Sequence, residues 1–221
     1  MYELVRGPLA LAAFFIFLFG LLFQTVRFYR LTKPVRSSPA YKPQPRSDGT
    51  RHSLPSVQRR AWKQRTVLGM EPGMVVVTAV FHAGLILTPL TLLSHSLLIQ
   101  QSWGVRLPAF PESLSDLMTL LVIGLGCYLL YRRVVLDRAR SITGPMDIVL
   151  LAVVLAPFLT GFLAYHQWLS YRPMIIAHIL SGELMLVCIP FTRLAHVLFF
   201  FLTRLGVGSE FSFVRGSRDW R

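Results

Sequence analysis

The chain has 221 residues, 53% of them hydrophobic and 15% charged, with a mean hydropathy of +0.54 and a formal net charge of +13. That is more apolar than soluble globular domains are, so a soluble fold is excluded and several membrane spans are expected. The two cysteines, Cys127 and Cys188, form no Cys-x-x-Cys pair, which excludes a thiolate zinc or iron–sulfur framework and leaves histidine to hold any metal.

About twenty apolar residues make a helix long enough to cross a bilayer. Five such runs occur, at about 9–28, 74–99, 114–131, 148–165 and 174–200. The expected fold class is therefore all-α, an integral membrane bundle of five transmembrane helices. The first run, within residues 1–30, has no small-residue cleavage site behind a short core and reads as an anchor, not a cleaved signal peptide. Residues 31–73 are basic and rich in Pro and Ser, with too little apolar content to build a core. They read as a cytoplasmic loop, too long for a mere connection and suited to docking a soluble partner, with His52 on its surface.

Eleven Lys and Arg lie between Arg27 and Arg65. Arg132, Arg133, Arg138 and Arg140 follow the third run, and Arg204, Arg215, Arg218 and Arg221 end the chain, whereas the opposite ends hold only Arg6, Arg106 and Arg172. The positive-inside rule places the N-terminus outside and the C-terminus in the cytoplasm, in a multi-pass protein of the cell inner membrane. Orientation and anionic headgroups account for the charge, so nucleic acid is not an expected partner.

The second run, "MVVVTAVFHAGLILTPLTLLSHSLLIQ", carries His82, Pro89 and His95. In the outer loop that follows, Trp103, Pro108, Phe110 and Pro111 fit the membrane interface. Ser141 or Thr143 is expected to cap the fourth helix, with Asp147 near its positive end. The fourth run ends at His166. The fifth, "PMIIAHILSGELMLVCIPFTRLAHVLFF", carries His178, Glu183, Arg193 and His196. Residues 74–205 thus form a four-helix haem-binding domain, and 206–221 a basic cytoplasmic tail.

Ionisable groups at membrane depth cost about 2.5–3.5 kcal/mol each on insertion scales. Two histidine pairs on two spans have a common explanation in two b-type haems, each held by two axial imidazoles and suited to electron transfer. In an unbroken fifth helix His178 and His196 are five turns and about 27 Å apart on one face. The second helix runs the opposite way, so depth pairs His82 with His196 and His95 with His178. Gly84 and Gly182 give room for a flat macrocycle or another backbone. Arg193 is placed to reach a haem propionate or a lipid headgroup. His82 and His95 point about 140° apart in a straight helix, and a kink at Pro89 is the means of restoring a common face. The other candidate partner for His178 is His166.

The chain resembles the gamma subunit of respiratory nitrate reductase and its relatives, five-span di-haem b cytochromes. The relatives include membrane subunits that stand beside heterodisulfide-reductase-like iron–sulfur proteins in menaquinone-linked complexes of sulfate reducers. The likeness rests on "VFHAG" at 80–84, "YRRVVLDRARSITGPMDIVLL" at 131–151, His-x-x-x-Gly at 178–182 and Pro-Phe-x-Arg-Leu-x-His at 190–196. The resemblance implies that His82 and His196 hold the cytoplasmic-side haem. It also implies electron exchange between a quinone, menaquinone in those complexes, near the outer haem and a cytoplasmic iron–sulfur subunit, with a periplasmic cytochrome c as a further partner. The nitrate-reductase type has a lysine before its third span where this chain reads "LPAFPESLSDLM". Asp116, Arg106 or His166 takes its place, which favours a heterodisulfide-reductase-like partner over nitrate reductase itself.

Glu183 points about 140° away from His178 and reads either as a proton relay linked to quinone chemistry or as an interhelical hydrogen-bonding group. Two other classes compete with the cytochrome reading: a transporter or channel with a histidine proton path, against which stands the absence of internal repeats and of broken helices in matching halves, and a haem-free membrane anchor.

Overall fold

The computed structural model describes residues 2–31 and 71–207. Most of the expected basic loop, including His52, and the tail beyond Val207 lie outside the described residues. No β-strand occurs among the described residues. Five helices are long and apolar enough to cross a membrane: α1 (Tyr2–Leu31), α2 (Pro72–Thr91), α4 (Glu112–Val135), α5 (Pro145–Tyr165) and α6 (Tyr171–Phe191). Two shorter helices, α3 (Leu93–Trp103) and α7 (His196–Val207), follow α2 and α6 after breaks. The protein is therefore a multi-pass, all-helical membrane protein.

The second and fifth runs were expected as single helices. Each contains a proline, and each is broken just after it. Pro89 and Pro190 have no N–H to donate to the turn before them. α2 ends at Thr91 and the chain passes through Leu92 in an extended conformation (φ −70°, ψ 130°) before α3 begins. α6 ends at Phe191, Thr192 is extended (φ −123°, ψ −173°), and a 3₁₀ turn at Arg193–Ala195 leads into α7. The five-turn relation between His178 and His196 assumed a continuous helix and does not hold. The cap of α5 also differs from the expectation at Ser141 or Thr143. Gly144 is the N-cap, and its N–H donates to Asp147 Oδ2 at 2.9 Å, three residues on.

The helices group into two compact units, one formed by Met1–Lys33 with Arg133–Arg221 and the other by Pro34–Arg132. In the first, α6 packs against α1 and α5. A Cβ on Gly20 would stand 2.6 Å from Pro190 Cγ, so α1 approaches α6 through a residue with no side chain. Gln24 Nε2 donates to the Pro190 carbonyl at 2.7 Å, and Phe28 meets Phe199 at 5.9 Å between ring centroids.

In the second unit, α2 and α4 meet where Val122, fully buried, fills the space above Gly84. The ends of α2 and α4 are tied by an Arg132–Glu71 ion pair at 2.5 Å. The loop after α3 folds back on the break: Phe110 N donates to Thr91 O at 3.0 Å, and Ser96 Oγ donates to Leu107 O at 2.7 Å. Backbone groups released by the interrupted helix thus find partners inside the protein, as a membrane environment demands.

Candidate functional site

The four histidines proposed as ligands share one feature. Nδ1 of each lies within hydrogen-bonding distance of a backbone carbonyl: His82 to Thr78 at 2.7 Å, His95 to Pro89 at 2.8 Å, His178 to Pro157 at 2.8 Å and His196 to Arg193 at 2.9 Å. A carbonyl oxygen only accepts, so Nδ1 carries the proton and Nε2 is the basic nitrogen of the neutral ring. Metal-ligating histidines are held this way, because the second bond fixes both tautomer and ring direction. The donor set therefore fits an iron that takes two imidazoles. His82, His95 and His178 are half-buried and His196 is exposed.

His178 is also shaped from outside its own helix. A Cβ on Gly161 would come within 2.9 Å of both its Cε1 and its Nδ1, so the ring lies directly on the backbone of α5. Gly161 and the Pro157 carbonyl, one turn apart, form its seat. Neither residue carries a side-chain signal of ligand chemistry, and the sequence alone did not single them out.

The two break histidines are related in sequence as well as in structure. Residues 89–95 read Pro-Leu-Thr-Leu-Leu-Ser-His and residues 190–196 read Pro-Phe-Thr-Arg-Leu-Ala-His. Both follow the pattern Pro-x-Thr-x-Leu-x-His, and both hold a helix break. In both, the threonine Oγ1 donates to the carbonyl four residues earlier, Thr91 to Leu87 at 2.8 Å and Thr192 to Cys188 at 2.7 Å. This is a short repeated frame with a helix break at each copy, where each run was expected as one continuous helix. The breaks close helices that have already run the length of a span, whereas transporter sites use breaks near the midplane.

The remaining candidates are less alike. Arg193 Nη1 donates to Asp147 Oδ1 at 2.6 Å, and Arg133 Nη1 donates to the Asp147 carbonyl at 3.2 Å. Asp147 thus caps α5 and fixes the arginine beside the second break. Close approach at Gly84 is made by Val122, whereas a Cβ on Gly182 would meet nothing within 4 Å. His166 stands in an aromatic turn between α5 and α6, with Phe162 at 4.3 Å, Tyr165 at 5.3 Å and Trp168 at 5.8 Å. Gln167 beside it has a left-handed backbone (φ 52°), uncommon outside glycine. Asp116 is half-buried near the start of α4, and Arg106 is exposed in the loop before it. Glu183 is buried in α6. His82, His95, Asp116 and Arg106 belong to one compact unit, and His178, His196, His166, Arg193 and Glu183 to the other. Among the described residues no group of three or more His, Cys, Asp or Glu could hold a metal ion, so a metal site made of protein ligands alone finds no donor set there.

A Nitratidesulfovibrio vulgaris protein is 34% identical to the chain over 224 residues, which cover 98% of this chain and 96% of that protein. No family model matches the chain, and no solved structure does.

Proposed function

We propose, for a chain that belongs to the same family as this Nitratidesulfovibrio vulgaris protein, the role of a b-type cytochrome subunit in a quinone-linked oxidoreductase complex of the inner membrane. The observation that carries the reading is the Nδ1–H to carbonyl bond shared by His82, His95, His178 and His196. Two haem b groups would be held by the four histidines, His82, His95, His178 and His196. Such groups, if bound there, would supply one-electron transfer, and neutral imidazole is the ligand these side chains would offer.

The chain's own contribution is to hold and orient. Each carbonyl bond raises the basicity of Nε2 and stops the ring from rotating out of line. Gly161 lets the His178 ring lie flush with α5, and Gly182 leaves room one turn beyond the same ligand. The distribution of Lys and Arg supports an N-terminus outside and a cytoplasmic C-terminus. Quinone would then meet the chain at its outer side, where Asp116 and His166 offer groups to accept and return protons and Arg106 a fixed positive charge. The basic segment around residues 31–73 would dock a cytoplasmic iron–sulfur subunit of the heterodisulfide-reductase-like kind.

The test is a reduced-minus-oxidised absorption spectrum of the protein purified with its partners, followed by a potentiometric titration. A b-type α band with two redox steps is expected, with one step lost in His82→Ala and one in His178→Ala. Assembled protein without an α band would end this reading in favour of a haem-free anchor.

A further inference from the structure

α6 carries one residue that the ligand geometry does not use. Glu183 is only 8% exposed, and both of its carboxyl oxygens are buried with no hydrogen-bond partner among the described residues. It stands twelve residues after Tyr171 and eight before Phe191, about 18 Å along a helix of about 31 Å and so near mid-span. Buried polar groups are nearly always bonded, and an orphan carboxyl at this depth calls for an explanation.

Its surroundings follow from the packing. Glu183 and Pro190 are the buried residues of α6, seven apart and so on one face. Ala13 and Gly20 of α1 are also buried and seven apart. Gly20 touches Pro190 near the end of α6, and residues 5–9 at the start of α1 also pack on α6, so the two helices run parallel and Ala13 lies about level with Glu183. The carboxyl therefore faces the smallest part of the α1 surface. Neither helix packed against α6 brings a charge to it. α1 has no ionisable residue between Arg6 and Arg27, and α5 has none between Asp147 and Tyr165. On α6 itself the nearest are His178 and Cys188, each five residues away and so about 140° around the helix.

A metal cation at this position would need several oxygen donors, and no such group converges among the described residues. A proton needs one. We propose that Glu183 is a proton-exchanging carboxyl in the α1–α6 seam, taking up one proton as one electron arrives at the cofactor on the histidines and releasing it as the electron leaves. This rests on the cytochrome reading, and the quinol of that reading supplies the electron. The O–H bond of the carboxyl forms in the first step and breaks in the second, so each electron gained or lost is matched by one proton. Gln24, bonded to the Pro190 carbonyl, is a polar side chain of the same seam about two turns further on, and the proton exchanges with the aqueous phase at the membrane surface.

The experiment measures midpoint potentials over a range of pH in membranes holding the complete complex, for wild type and for Glu183→Gln. In the wild type one of the two steps is expected to fall by about 59 mV per pH unit, the value for one proton per electron. That slope is expected to vanish in Glu183→Gln with the haem content unchanged. Wild-type protein treated with the membrane-soluble reagent dicyclohexylcarbodiimide, which couples to protonated carboxyls, gives the same comparison should the variant fail to assemble. Modification mapped to Glu183 with loss of the slope supports the proposal. A slope that survives both treatments overturns it and leaves the cytochrome reading standing, whereas assembled protein without a b-type band overturns both.

Discussion

The two Pro-x-Thr-x-Leu-x-His segments begin alike and end differently. At 89–95 the interruption is one residue long, and His95 reaches back across it to the Pro89 carbonyl of the helix it has left. At 190–196 a 3₁₀ turn intervenes, and His196 bonds to Arg193 within that turn. The first break is closed by its own histidine and by the Phe110 amide of the following loop. The second is closed by side chains of other helices, Gln24 on the Pro190 carbonyl and Asp147 on Arg193. One motif sets where the helix stops and which residue follows, while its surroundings decide what the histidine is anchored to. His95 is thereby tied to the direction of α2, and His196 to the start of α7.

The largest effect expected from this comparison is on the cofactor. If the two segments are equivalent, His95→Ala removes one b-type redox step just as His196→Ala removes the other, and His166→Ala leaves both. A titration in which His166→Ala loses the step and His95→Ala keeps it would break the equivalence and restore His166 as the partner of His178. Next is the seat of His178. Gly161→Val places a branched side chain where a single Cβ already comes within 2.9 Å of the ring. Overpacking of this kind costs about 1–3 kcal/mol. The variant is expected to unfold at lower temperature in detergent and to lose or shift the redox step assigned to His178. A variant with wild-type spectrum and potentials would show that the ring position does not matter.

The sequence carried the spans well because hydropathy over twenty residues is a strong, local signal. Five runs became five spanning helices, with ends displaced by up to nine residues, the largest shifts at 74–99 and 174–200 where the helix breaks. It carried the breaks less well, for a physical reason. A proline inside an apolar run is compatible with a kinked helix or an interrupted one, and what decides is whether the released carbonyls find partners. Those partners are distant: Phe110 for Thr91, and Gln24, 166 residues away, for Pro190. The repeated heptapeptide was nonetheless open to inspection, since the second copy is the same seven-residue frame as the first. The histidines were legible as a constellation. Their common carbonyl bonds were not, and neither was the Pro157–Gly161 seat, which depends on two helices meeting at one level.

Smaller effects sharpen the contrast between the breaks. Thr192 Oγ1 accepts the Leu194 N–H at 3.2 Å and so caps the turn, in addition to donating to Cys188 O. Thr91 Oγ1 donates back to the Leu87 carbonyl within its own helix. Loss of a capping hydroxyl costs about 0.5–2 kcal/mol, whereas a side chain bonded only to its own helix is nearly neutral to replace. Thr192→Val is therefore expected to lower the unfolding temperature in detergent more than Thr91→Val. Equal losses would mean that both threonines act through the same back-bond and that the second break needs no cap.

The smallest effect is expected at Asp147→Asn. The Arg193 side chain is 72% exposed and that of Asp147 17%, so the pair is screened on one side and contributes on the order of 0.2–1 kcal/mol. Asparagine keeps an oxygen for the Gly144 N–H, so the cap of α5 survives and only the charge is removed. The expected result is near wild-type stability together with a change confined to the redox step lost in His196→Ala, because Arg193 lies in the turn that anchors His196. A stability loss of several kcal/mol would mean that the ion pair, not the proline and threonine, holds the second break in shape, and the two segments would then be alike in sequence only.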